Sequence, residues 1–192
     1  MADAIALLGT SADPPTHGHQ TLLNRLLTRY AHVATWASDN PIKQHGAPLA
    51  LRSKLLEAVV VEIDNPNLQL VQELSSPFTR VTLERAAARW PHRDLIFVVG
   101  SDLAHQIPNW KQADQWLMHL RLAIVHRQGW PLRAEVLTRL QNRGATVDVL
   151  DLSIPASASS ELRQSPQQSQ VPATVWPLLL QHNLYGLTPS RC

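Results

Sequence analysis

Short apolar runs alternate with amphipathic stretches along most of the 192-residue chain. Residues 5–8 (IALL) form a buried-strand pattern that stops at Gly9, and residues 18–30 carry Leu22, Leu23, Leu26 and Leu27 at helical spacing. Residues 32–36 read as a second strand, and residues 49–63 as a helix with Leu51, Leu55, Ala58 and Val59 on one face. A strand-like run at 68–71 and a helix at 79–90 follow. The run LIFVV at 95–99 is apolar throughout, which predicts a strand buried on both faces. Strands at 122–125 and 147–150 bracket a helix at 131–140, and closing helices are expected at 159–164 and 172–182 around a polar loop at 165–171.

Strand followed by helix at this pitch predicts an α/β fold, a Rossmann-like doubly wound parallel sheet of about six strands with C-terminal helices. No internal repeat and no second domain are visible, so residues 1–187 are expected to form a single domain with a short tail at 188–192. In such sheets ligands bind beyond the C-terminal ends of the strands, near the point where strand order reverses. The residues just after Leu8, Trp36, Val99 and Val125 are therefore expected to line the site.

Composition narrows the classes. Apolar residues at 44% and charged residues at 17% describe an ordinary globular chain rather than a disordered one. The formal charge of +2 and a pI near 9.0 suit phosphate-bearing ligands, but no basic stripe or aromatic platform argues for nucleic acid. One cysteine, Cys192, excludes an intramolecular disulfide and a Cys-based zinc site and suits a reducing compartment. The first residues lack the basic region of a signal peptide, and their apolar run is too short to span a bilayer. The expectation is a cytoplasmic protein with no membrane or nucleic-acid partner; homo-oligomerisation is left open.

The candidate chemistry begins directly after the first strand, at Gly9-Thr10-Ser11-Ala12-Asp13-Pro14-Pro15-Thr16-His17-Gly18-His19. Small residues at 9–12 allow close backbone approach to a ligand. A helix starting near Gly18 directs free N–H groups and the positive end of its dipole at the same space. His17 and His19 stand too close in sequence for a helical metal pair, and neither a Gly-x-Gly-x-x-Gly fingerprint nor a Walker loop is present. A second stretch, Ser157-Ala158-Ser159-Ser160-Glu161-Leu162-Arg163, places hydroxyls at a helix start and an arginine one turn in. These can cap the helix or bind phosphate oxygens.

Asp13-Pro14-x-Thr16-x-Gly18-His19 resembles the His/Thr-x-Gly-His signature of the nucleotidyltransferase superfamily, and residues 157–163 resemble its Ile-Ser-Ser-Thr-x-Ile/Val-Arg partner. Within the superfamily the chain is most similar to bacterial nicotinate-nucleotide adenylyltransferases. Asn40-Pro41-Ile42-Lys43 with Arg52, Ser76-Pro77-Phe78-Thr79, Gly100-Ser101-Asp102 with Trp110-Lys111, Arg127 to Leu132 and Leu184-Tyr185 carry the likeness in order. The chain departs from that pattern at Thr10, Ala12, Val81, Ala158 and Ser160.

The resemblance implies adenylyl transfer from ATP to nicotinate mononucleotide, with nicotinamide mononucleotide and phosphopantetheine as rival acceptors and a non-catalytic nucleotide-binding module as the alternative class. It assigns His19 and Arg163 to catalysis. It assigns ATP binding to Gly9, Thr10, Ser11, Thr16, Gly18, His19, Gly100, Asp102, Ser159, Ser160 and Arg163. Acceptor binding falls to Lys43, Arg52, Thr79, Trp110 and Arg127. Mg²⁺ is expected to be held mainly through the ATP phosphates.

Overall fold

The computed structural model of the chain describes residues 3–41, 43–154 and 159–188. Ile42, Ser157 and Ala158 of the motifs above, and most of the expected tail, lie outside the described residues. Six parallel strands form one sheet in the order β3-β2-β1-β4-β5-β6. The strands are β1 (Ala4–Thr10), β2 (His32–Ala37), β3 (Leu68–Leu70), β4 (Asp94–Gly100), β5 (Arg121–Arg127) and β6 (Thr146–Ile154). Between and after them lie α1 (His17–Leu27), α2 (Leu49–Ile63), α3 (Thr79–Arg89), α4 (Ser101–Ala104), α5 (Ala113–Leu117), α6 (Ala134–Asn142), α7 (Ser159–Gln164) and α8 (Val175–Gln181). From β1 the chain steps outward to β3, then restarts beside β1 at β4 and runs to the other edge. The strand order therefore reverses between β1 and β4, where such folds open a crevice for ligands.

Alternation along the central strands divides the interior into two layers. Ala4, Ala6 and Leu8 of β1 and Ile96 and Val98 of β4 join one core with Leu22, Leu23, Leu26, Leu55 and Leu179 from the helices. Ile5 and Leu7 of β1 and Phe97 and Val99 of β4 point the other way, into a core with Leu74, Ile107, Trp116 and Leu140. Burial on both faces is what makes these strands read as continuous apolar runs. Of the run at 95–99, Leu95 is only partly buried, because it enters the sheet at the solvent end.

The parallel sheet, the helix Leu49–Ile63 and the helix Ser159–Gln164 lie where the hydrophobic pattern places them. The strands run one or more residues past their apolar cores, since ladder hydrogen bonds do not require apolar side chains; β6 extends to Ile154. The sequence pattern missed α4 and α5, which are four and five residues long and too short to display a 3.6-residue period. It also started α6 too early. Residues 127–130 close a tight turn with an Arg127–Trp130 bridge, and the helix begins only at Ala134. No helix among the described residues is long and apolar enough to cross a membrane.

Leu122 is fully buried in β5, flanked by β4 and β6. Leu122→Ala should lower unfolding free energy by about 2–5 kcal/mol, measured as a lower urea midpoint at unchanged slope.

Candidate active site

The loop after β1 is organised by a carboxylate. Asp13 is fully buried, and its oxygens accept hydrogen bonds from the backbone N–H of Gly46 (2.7 Å) and Ala47 (3.1 Å) and from the Tyr185 hydroxyl (2.7 Å). His45 Nδ1 and Arg163 Nη1 lie 3.5 and 3.6 Å from Oδ2. A buried ionised group persists only when its lone pairs are filled in this way. The preceding residue, Ala12, is held at φ +47°, in the left-handed region that disfavours a side chain. Tyr185 in turn has its hydroxyl pKa raised, first by burial and then by its bond to Asp13.

Thr16 caps α1 with extended backbone, and the His19 ring reaches back to it: Nδ1 accepts from the Thr16 N–H at 3.0 Å and lies 3.0 Å from Thr16 Oγ1. This is the reciprocal half of a capping box, with histidine in the place usually taken by Glu or Gln. The backbone donor makes Nδ1 an acceptor, so the neutral ring carries its proton on Nε2 and has that N–H left to donate. The His19 pKa falls from 6.5 to about 4, chiefly through burial and then through the charges of Arg127 and Lys43. The ring is therefore neutral at physiological pH.

The second motif packs directly on the first. Ser159 Oγ, at the start of α7, donates to the Pro14 carbonyl at 2.9 Å, and Arg163 Nη1 donates to the Asp13 carbonyl at 2.9 Å. Lys43 reaches Ser11 Oγ at 3.4 Å. Its ammonium pKa is lowered by lost hydration and by Arg127 and Arg163, against an opposing pull from Asp102. Lys43 and Arg127 therefore place positive potential on His19 at the C-terminal edge of the sheet, beside the β1–β4 reversal, and Arg163 adds to the field at Lys43. Such a cleft, with free N–H groups of α1 alongside, is built to receive an anion.

Residues 7–165 match the family model described as cytidylyltransferase-like. The chain belongs to that family. Among its relatives, a protein of Synechocystis sp. named as a probable nicotinate-nucleotide adenylyltransferase is 34% identical over 94% of this chain and 98% of its own length. The Bacillus subtilis nicotinate-nucleotide adenylyltransferase is 26% identical over 66% of this chain and 70% of its own. Of solved structures, the nicotinic acid mononucleotide adenylyltransferase of Plasmodium falciparum complexed with NaAD superposes with a TM-score of 0.77. It does so at 18% identity over 97% of this chain and 98% of that one, a likeness of fold.

Within this cytidylyltransferase-like frame, the structure brings Gly9, Thr10, Ser11, Thr16, Gly18, His19, Ser159 and Arg163 into one loop–helix assembly. Ser160 stands exposed beside Ser159, and Gly100 closes β4 ahead of Asp102. Some expectations change. The side of Gly9 that a side chain would occupy is filled by protein, since a Cβ there would meet the Trp36 indole at 2.8 Å. Arg52 is not a free acceptor-binding cation. It is 2% exposed, with Nε donating to the Ala47 carbonyl (3.1 Å) and Nη1 to those of Ser11 (2.7 Å) and Ser38 (3.0 Å). Its planar fork ties the loop after β1 to both ends of the loop between β2 and α2, which a surface lysine could not do. Asp102 and Arg127 engage each other at 2.5 Å, so the carboxylate expected at ATP is paired with the arginine expected at the acceptor. Thr79 and Trp110 are half-buried, and Trp110 leans on Trp116 at 6.2 Å.

Residue reading had missed Asp13 as the organiser, together with Gly46, Tyr185 and Ser101. Gly46 has no room for a side chain, since a Cβ would come within 2.6 Å of Arg163 Cδ and 2.8 Å of the Tyr185 ring. Ser101 Oγ accepts from the Arg127 N–H (3.0 Å) and donates to the Trp130 carbonyl (2.7 Å), fixing the turn that carries Arg127. An Asp inside an otherwise small and apolar loop was the one available signal for Asp13; the partners lie more than thirty residues away.

Tyr185→Phe should cost about 1–3 kcal/mol of stability by removing a donor from a buried carboxylate, read from urea unfolding. The His19 ring should titrate with a midpoint near pH 4 when followed by NMR. Because that value lies below the unfolded 6.5, the stability it contributes is present above pH 6.5 and lost as pH falls towards 4.

Proposed function

We propose that the chain transfers the adenylyl group of ATP to the phosphate of nicotinate mononucleotide, giving deamido-NAD and pyrophosphate in NAD biosynthesis. The observation that carries this reading is the contact between the two motifs. Arg163 and Ser159 bond to the carbonyls of Asp13 and Pro14, so both anion-binding stretches address one cleft. The names of the relatives, at full-length coverage for the Synechocystis protein, support the same acceptor.

A phosphate oxygen of the acceptor attacks the α-phosphorus, a new P–O bond forms, and the bond to the bridging oxygen breaks as pyrophosphate leaves. Catalysis then consists of alignment and stabilisation of negative charge rather than covalent chemistry by the protein. His19 donates from Nε2 to the α-phosphate, a role its neutral tautomer permits without a proton transfer. Arg163, with Ser159 and Ser160, holds the departing β- and γ-phosphates, and the 9–11 backbone with Thr16 and Gly18 supports the triphosphate. Lys43 steers the attacking phosphate, and Thr79 and Trp110 receive the pyridine. Among the described residues no three His, Cys, Asp or Glu side chains converge to hold a metal, and Asp102 is engaged by Arg127. The donor set fits a Mg²⁺ that arrives on the nucleotide's phosphate oxygens and neutralises part of their charge.

The test supplies purified protein with ATP, Mg²⁺ and each candidate acceptor while pyrophosphate is measured. Release is expected with nicotinate mononucleotide, and none with any acceptor would refute the proposal. His19→Ala should reduce kcat by about two to three orders of magnitude with an unchanged circular dichroism spectrum.

A further inference from the structure

Phe78 and Lys111 lie on loops that follow different strands, yet they meet. Phe78 precedes α3, beyond the C-terminal end of β3, and Lys111 lies between α4 and α5, beyond that of β4. The Lys111 ammonium sits 4.4 Å from the centroid of the Phe78 ring. Both side chains border a cavity of about 240 Å³ whose wall is completed by Arg80, Val81, Glu84 and Gln112.

The two cations of that cavity are not equivalent. Arg80 is already neutralised: its Nε donates to Glu84 Oε1 at 2.8 Å and its Nη1 to Gln115 Oε1 at 3.2 Å. No carboxylate among the described residues lies within ion-pairing distance of Lys111, whose ammonium rests on an aromatic face instead. Phe78 is 43% exposed, a large apolar ring presented to solvent beside a charge. A cation over an accessible aromatic ring is complementary to a flat aromatic acid, whose ring can lie against the apolar surface while its carboxylate takes the ammonium. An amide of the same shape gains the first contact and not the second.

Each of these residues is also the chain neighbour of one to which the acceptor ring has been assigned: Phe78 adjoins Thr79, and Lys111 adjoins Trp110. We infer that Lys111, held over Phe78, is a specificity-determining residue that selects a pyridine carboxylate over the corresponding carboxamide. This rests on the function proposed above, and it names the side chain that reads the one charge by which the two mononucleotides differ. Trp110 does not carry that choice, because an indole has no charge with which to make it.

The test compares kcat/KM for nicotinate and nicotinamide mononucleotide, with ATP and Mg²⁺ saturating, in the full chain and in Lys111→Met and Lys111→Arg. Lys111 is exposed, so neither substitution opens a cavity in the core. The preference for the acid should fall by about tenfold or more in Lys111→Met, through a raised KM for the acid, because a hydrogen-bonded charge pair is removed. Lys111→Arg should restore most of it. An acid preference in Lys111→Met within about twofold of the unaltered chain would overturn the assignment of Lys111 while leaving the function intact. An unaltered chain that adenylylates neither mononucleotide would sink both.

Discussion

The cleft depends on a buried carboxylate whose hydrogen bonds go to protein groups. Asp13 is removed from water, and an isolated carboxylate in that position would be strongly unfavourable. It is tolerated because Gly46, Ala47 and Tyr185 donate to it and Arg163 lies close by. Those partners come from the loop before α2, from the last turn of the described chain and from α7. Satisfying one carboxylate thus forces three distant segments to converge on the loop after β1. Breaking such a group's bonds one at a time leaves a charge without compensation, so the arrangement is held cooperatively.

Convergence at Asp13 explains the electrostatics of the cleft. With Arg163 anchored to the Asp13 carbonyl and Arg127 anchored by Asp102, the cations have little freedom to move away from one another. Burial first, and then neighbouring cations, lowers the pKa of both Lys43 and His19 and keeps the His19 ring uncharged. A polyphosphate entering such a field is drawn by fixed charges that have already lost part of their hydration, which is the meaning of preorganisation here. The same anion would weaken the repulsion felt by His19. An anion bound there and the protonation of His19 would therefore favour each other.

Much of this was legible in the residues. The sheet followed from apolar runs spaced by amphipathic ones, because a strand buried on both faces cannot hide its composition. The two motifs were picked out by residue type and order, and the structure brings Ser159 and Arg163 onto the loop that leads to His19. What escaped reading were roles that exist only in three dimensions. Arg52, expected at the acceptor, instead donates to three backbone carbonyls. Gly46 has Arg163 and Tyr185 against it where a side chain would stand. Neither role leaves a periodicity or a local motif, since the partners are supplied by folding.

These long-range bonds also bear on when the cleft comes into being. The family match ends at residue 165, yet Tyr185, beyond it, donates to Asp13 near the chain's start. The Ser159–Pro14 and Arg163–Asp13 bonds likewise close loops of roughly a hundred and fifty residues, whose entropic cost must be met before the contacts contribute. Local helices and the β1–β2 unit can form earlier, but they present only His19 and an unfilled carboxylate. Arg163, the cation that α7 contributes, bonds with Ser159 to the carbonyls of the loop that follows the strained Ala12. Anion binding is in this sense a property of the completed sheet and its C-terminal helices, not of the His19 loop alone.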